Sequence, residues 1–386
     1  MITLTWKQVW ARRLARHSLL ERAPSDAIAA TVGAVCGIQA QVMPAAELGV
    51  GIRVNGVTRG DVQVALWETR ALVKTFGIRG TIHLFPSDEL PLWMAALRAR
   101  SVLDVKGRER LGLDPAQLTA VLDSIAEGLD GRRLTMQELG DRIVRQAGSW
   151  AGEATQGWSG TTPRWRMALS EAALAGLLCY GPPQGNQVTF VRPDQWTGAW
   201  RDQDEHHALA EVFRRYLRAY GPATPRDFAQ WFNLPPPAAR NVAASLDGEL
   251  REVDVEGYRA YLLADDVEGW AANDPDEPLP LRLLPHFDCY VIGCHPRDQL
   301  LPADWKERVP PRTIPSQLQL LLVDGKVAGV WDRQTKGKRI ELRVEHFGTL
   351  NKGQRARLEE EAARIGTILE GEAALTIDRV EVRPHL

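Results

Sequence analysis

"GPATPRDFAQWFNLPPPAARNVAASL", residues 221–246, reads as two short helices joined by a tight turn, and that reading decides the fold. Thr224 is placed to cap the first helix, Pro225 sits at its first position, and Asn233 and Pro235 end it. The second helix is expected over Pro237–Leu246. Directly after it, "GELREVDVEGYRAYLLA" (248–264) alternates and turns near Gly257, the pattern of a β-hairpin. A further helix at His206–Ala219 precedes the pair. Three helices followed by a hairpin is the plan of a winged helix.

The same order occurs twice upstream. Helices expected over Thr5–Glu21, from Ser25 or Asp26 to Gly37, and over Arg59–Thr69 precede the hairpin "ALVKTFGIRGTIHLFP" (71–86). Thr5 and Gln8 have the spacing of a capping box, and Trp6, Val9, Trp10 and Leu14 form one apolar stripe. Helices over Pro115–Glu127, Thr135–Gln146 and Arg164–Leu178 precede the hairpin "LLCYGPPQGNQVTFVR" (177–192), with its tip at Pro182–Gly185. Between them, "AGSWAGEATQGWSGTTP" (147–163) reads as a mobile loop. It is either a plain linker or a ligand contact made by Trp150 and Trp158.

After Asp266 the pattern changes. "LPLRLLPHFDCYVIG" (279–293) reads as a buried extended run. "LQLLLVDGKVAGVWD" (318–332) reads as a hairpin turning at Asp324–Gly325. "KRIELRVEHF" (338–347) is a further strand, and Asn351–Leu369 an amphipathic helix. The expected fold is α+β, mainly α. Three tandem winged-helix units, at 1–110, 111–200 and 201–266, are followed by a small antiparallel-sheet domain with a C-terminal helix at 267–386.

The chain has 386 residues, 44% hydrophobic and 25% charged, enough for several cores. Its net charge of −2 gives no long-range pull on a polyanion, so any nucleic-acid surface must be a local patch. Cys36, Cys179, Cys289 and Cys294 read as reduced, buried thiols. Cys289, Cys294 and His295 lack a fourth ligand at zinc spacing, so no metal is expected. Residues 1–17 lack the apolar core of a signal peptide, and the run Ala27–Ile38 is too short to span a bilayer. A cytoplasmic protein with no membrane contact is expected. No phosphate-binding glycine loop, HExxH or GxSxG occurs in the sequence.

Three basic clusters remain: Arg12/Arg13/Arg16, Arg132/Arg133, and Arg333, Lys336, Lys338 and Arg339. Each alone suits a solvated face; together on winged helices they suit phosphate contacts. Gln39 and Gln41 stand out because Gly37 ends the preceding helix. On an extended link, residues two apart share a face, so both amides would point one way and Ala40 inward. Such a pair either bonds loop backbone or holds a water beside a developing cation. In "RGTIHLF" (79–85), Thr81, His83 and Phe85 face one way and Ile82 and Leu84 the other. His83 is either a satisfied structural group or a functional one.

In order along the chain, "GIQAQ" (37–41), "RGTIHLF" (79–85), "YGPATPRDFAQWF" (220–232), "LLPHFDCYVIG" (283–293) and "LVDGKVAGVWDR" (322–333) resemble the AlkZ/YcaQ family of winged-helix DNA glycosylases. The resemblance runs from about Leu4 to Ile377. Gln39-Ala40-Gln41 matches the Gln-x-Gln catalytic motif of the AlkZ type, not the Gln-x-Asp of the YcaQ type. His286 stands where an Arg often precedes "FD". The resemblance implies that Gln39 and Gln41 are catalytic. It also implies hydrolysis of the glycosidic bond of cationic N7- or N3-alkylated purines, extending to interstrand crosslinks and self-resistance to alkylating natural products. Double-stranded DNA carrying alkylated purines is then the partner. Arg12, Arg13, Arg16, Arg79, Thr81, His83, Arg333, Lys336, Lys338 and Arg339 are the candidate DNA contacts. No cofactor, metal or obligate protein partner is expected. The rival reading is a non-enzymatic winged-helix regulator.

Overall fold

The computed structural model describes residues 2–103, 111–157, 160–198, 200–271 and 278–382. Its helices begin where the side chains say they should. Thr5 caps helix α1 (Trp6–Arg16) in a reciprocal box with Gln8. Thr58 and Asp61, Thr135 and Glu138, Thr224 and Asp227, and Asn351 and Gln354 do the same for Arg59–Trp67, Met136–Ala147, Pro225–Phe232 and Lys352–Ile368.

Three groups of helices each end in a hairpin, and each hairpin is completed by a third strand. The first group holds α2 (Ile28–Ala34), α3 (Met43–Gly51) and α4 (Arg59–Trp67), then strands β3 (Leu72–Phe76) and β4 (Ile82–Pro86). The short strand β2 (Ile38–Gln39) adds to β4, giving the order β2-β4-β3. The second group has β5 (Leu134–Thr135) beside β9 (Gln187–Val191), which pairs with β8 (Cys179–Gln184). The third has β10 (Leu250–Val255) and β11 (Tyr258–Leu263), and its third strand is the chain's own beginning. β1 (Ile2–Leu4) runs parallel to β10, with Ile2 opposite Val253. Leu4, Trp6 and Val9 accordingly pack with Val253, Val255, Leu262 and Trp270, so the first residues serve the third hairpin.

Several expectations need correction. Residues 147–157 and 160–163 are not a loop: Ala154–Gly157 (β6) and Gly160–Pro163 (β7) pair as two antiparallel strands after a short turn at Ser149–Gly152. Trp150 bonds the Ala147 carbonyl at 2.7 Å and packs on the second core; Trp158 lies outside the described residues. The helix expected over Arg164–Leu178 is a 3₁₀ turn, Arg164–Ala168, followed by Leu169–Leu174. The run 279–293 is extended only over Arg282–Leu284 (β12); Asp288 then caps a short helix, Cys289–Gly293. Helices α3 and α5 (Leu90–Leu103) were not anticipated, because both are apolar on nearly every face. The C-terminal sheet has five strands in sequential order, β12, β13 (Gln319–Val323), β14 (Lys326–Lys336), β15 and β16. It is mixed rather than antiparallel, because β16 (Glu372–Ile377) runs parallel to β15 (Arg339–His346). The helix Lys352–Ile368 between them makes that crossover possible.

One buried ion pair joins the C-terminal part to the first group. Arg53, at the end of α3, donates to both carboxylate oxygens of Asp288 at 2.8 and 2.7 Å, and to the Gly49 carbonyl at 2.8 Å. Neither side chain is exposed by more than 1%. Burial would release the Arg53 proton, but the facing Asp288 carboxylate more than offsets it and holds the charge.

Candidate active site

The chain reverses at Cys36–Gly37, where both φ angles are positive (64° and 90°). A Cβ at Gly37 would stand 2.5 Å from the Phe85 ring, so only glycine fits. The reversal delivers Ile38 and Gln39 as strand β2. Gln39 lies opposite His83, and His83 opposite Thr75, so these three share one face. Ile38, Leu84 and Lys74 occupy the other.

Ala40 continues the extended link, its N–H bonding the Ile82 carbonyl at 2.7 Å, and it is fully buried. Gln41 follows in a bend beyond the strand, and it is exposed. Its Oε1 accepts the Ile82 N–H at 3.3 Å. That bond fixes the amide plane and occupies one of two lone pairs; the second remains to accept from a water. Gln39 is 8% exposed, and among the described residues its amide has no hydrogen-bond partner. The backbone-bonding role thus describes half of one glutamine and none of the other.

His83 is 5% exposed, and its ring stacks at 5.6 Å on Phe85, which stacks at 4.9 Å on Trp93. Nδ1 lies 3.0 Å from the Thr81 carbonyl, which requires a proton on Nδ1 and leaves Nε2 as an acceptor. Burial pushes its pKa down to about 4, against the backbone bond to Thr81, so the ring is neutral at pH 7. At 5% exposure the ring offers little surface to a backbone phosphate. Thr81 spends its hydroxyl on the Ile78 carbonyl at 3.0 Å. Arg79 is half-buried in the turn Ile78–Gly80, at a positive φ of 59°.

The first basic cluster is mostly structural. Arg13 is 3% exposed and donates to the carbonyls of Gly221, Pro222 and His295 at 3.3, 3.1 and 2.7 Å. It is corrected from a DNA contact to a buried tie between distant turns. Arg12 and Arg16 both bond the Asp266 carboxylate. Of the hairpin residues, Lys336, Lys338 and Arg339 are exposed at the tip between β14 (Lys326–Lys336) and β15. Arg339 also lies 3.2 Å from Glu341. Arg333 is half-buried. Burial lowers its proton affinity, Arg59 adds to that, and the buried carboxylate Glu47 opposes it. His286 bonds the Gln317 carbonyl at 2.8 Å through Nδ1.

Sequence reasoning missed Glu47 and Arg297, which belong to no motif, and weighed His295 only as a metal ligand. It also passed over Lys74. Burial lowers the pKa of that amine, and it lies 5.1 Å from the centre of the Tyr180 ring, on the face away from Gln39. Among the described residues no group of His, Cys, Asp and Glu converges in a way that could hold a metal. The four cysteines are buried and unpaired. No helix among the described residues is long and apolar enough to cross a membrane.

The family profile of AlkZ-like DNA glycosylases matches residues 32–368. The chain is 34% identical over 336 residues to an interstrand DNA cross-link repair glycosylase of Streptomyces sahachiroi, covering 85% of this chain and 88% of that one. The structure superposes on the Streptomyces sahachiroi DNA glycosylase AlkZ with a TM-score of 0.81 and 31% identity, over 98% of this chain and all of the other. The match spans the strand that carries Gln39, the hairpin that carries His83 and the C-terminal sheet together, and the chain therefore belongs to the AlkZ-like family of DNA glycosylases.

Proposed function

We propose that this glycosylase hydrolyses the N-glycosidic bond of purines made cationic by alkylation at N7 or N3, with Gln39 and Gln41 holding the attacking water. What supports this is the pairing of Gln39 with the buried imidazole of His83, with Gln41 held beside them by the Ile82 N–H. An alkylated purine leaves as a neutral base, so no strong general acid is needed. What remains is to place water at C1′ and tolerate positive charge on the sugar. Neutral amides and a neutral imidazole do both without donating a proton to the leaving group. Lys74, on the strand that pairs with the His83 strand, faces away from Gln39, which favours direct hydrolysis over a Schiff base.

The three helix-and-hairpin groups act as winged-helix units on double-stranded DNA, and the exposed tip residues Lys336, Lys338 and Arg339 meet its backbone, as do the half-buried Arg12 and Arg16 that Asp266 holds. The relative from Streptomyces sahachiroi is named for interstrand cross-link repair. The same substrate class here, with self-resistance to an alkylating natural product, is the extension we propose. Membership of a glycosylase family sets aside the non-enzymatic regulator. The test is incubation with duplex DNA containing 7-methylguanine and chromatography of the free base. Release by the parent protein, lost in Gln39→Ala with duplex binding intact, supports the reading. Undiminished release by that variant refutes the role of Gln39.

A further inference from the structure

We propose that Arg79 and Arg297 together form a subsite for one backbone phosphate of the DNA, beside the nucleotide under attack. This rests on the glycosylase reading above and adds a residue, Arg297, from the C-terminal part of the chain. Arg79 projects from the turn Ile78–Gly80, which packs against the helix Pro225–Phe232. Arg297 opens the short turn Arg297–Gln299. Buried Arg13 ties the two neighbourhoods together: it binds the carbonyls of Gly221 and Pro222, which lead into that helix, and of His295, which leads into Arg297.

The corner so formed is rich in donors and poor in acceptors. Both arginines are half-buried, and among the described residues neither guanidinium has an ion-pair partner. Arg297 Nε is buried without a hydrogen bond, and so is Nε2 of His295, a residue 3% exposed. Burial and then the Arg297 charge weaken the hold of Arg79 on its proton, and Arg79 in turn acts on the His83 ring. The acid that reaches this corner is Asp227, and it is engaged. It accepts from the Thr224 N–H at 2.8 Å, from the Thr224 hydroxyl at 2.7 Å and from the Tyr258 hydroxyl.

Two like charges partly withdrawn from water and without a counter-charge are stabilised by an anion that joins them. A phosphodiester carries two free oxygens on a tetrahedral centre and matches two guanidinium forks. The position also suits the chemistry. Bare cations near His83 would oppose a sugar that turns positive; a phosphate between them offsets one of the two charges and lessens that opposition.

The test uses duplexes with a single 7-methylguanine, in which one phosphate at a time around the lesion is replaced by an uncharged methylphosphonate. The full-length parent protein should lose about tenfold in affinity at one phosphate next to the lesion, the size of one charge-assisted contact. Arg297→Gln and Arg79→Gln, with unchanged melting, should lose the same on unmodified duplex. They should be indifferent to the methylphosphonate, and each should lower the salt slope by about one. A parent protein insensitive at every position overturns the subsite, as do variants that remain as sensitive as the parent. Inorganic phosphate bound in calorimetry, without any methylphosphonate effect, would make it a free-anion site and overturn the DNA assignment. Absence of base release by the parent refutes the catalytic reading alone, since the binding measurements stand apart from it.

Discussion

Gln39 stands directly opposite His83 in the antiparallel pairing of β2 with β4, so the amide and the imidazole occupy one face of the first sheet. The reversal at Gly37 sets this register. A slip of one residue would send Gln39 into the apolar core and Ala40 to the site.

Replacing either amide should therefore remove chemistry and spare the fold. Gln39→Ala and Gln41→Ala should each lower single-turnover release of 7-methylguanine by on the order of 100-fold, the usual effect of losing one preorganised polar group. Thermal melting and duplex affinity should stay near the parent values. A large fall in melting temperature in Gln39→Ala would mean that the residue is structural.

Acid should destabilise the protein in a defined window. Burial holds His83 and His295 down to about 4; for His295, Arg297 adds to this while Asp227 opposes it. His17 is also held well below its ordinary value, by burial and then by Arg53 and Arg13. The unfolded chain, with histidines near pKa 6.5, binds more protons than the native one between pH 6.5 and 4. Their stabilising effect is complete above pH 6.5 and is lost as the pH falls toward 4. Urea midpoints measured across that range should drop, and His83→Gln should flatten the slope by about one proton.

The Arg53–Asp288 pair should be costly to halve. Asp288→Ala leaves a buried guanidinium uncompensated and should cost about 3–5 kcal/mol in urea unfolding. Replacing both partners with apolar residues of similar size should recover most of that loss. If Asp288→Ala alone is neutral, the pair does not hold the C-terminal part to α3.

At the tip of β14–β15, Lys336→Gln, Lys338→Gln and Arg339→Gln combined should weaken duplex binding and reduce its salt dependence by up to about three. The rate of base release from bound DNA should hardly change. Titration of binding against salt checks the first claim and single-turnover kinetics the second.

Much of this architecture was legible because its signals are local. The boxes Thr5/Gln8 and Thr224/Asp227 lie within four residues, and Gly37 by itself marked where the helix gives way to the link that carries Gln39. What escaped was set by contacts across long stretches of chain. Arg13 looked like a solvent-facing cation in a helix rich in arginine; only carbonyls more than 200 residues away bury it. Asp288 gave no sign that its partner is Arg53, 235 residues earlier. The paired strands within 147–163 have the composition of a loop, since Gly, Ser and Thr edge a ribbon with little apolar surface to show.

The pairing of β1 with β10 also has a bearing on synthesis. Trp6 and its acceptor Glu256 are 250 residues apart, so the opening strand leaves the ribosome roughly 10–50 s before its neighbour exists. Throughout that interval Trp6 and Val9 lack the sheet that covers them in the finished fold.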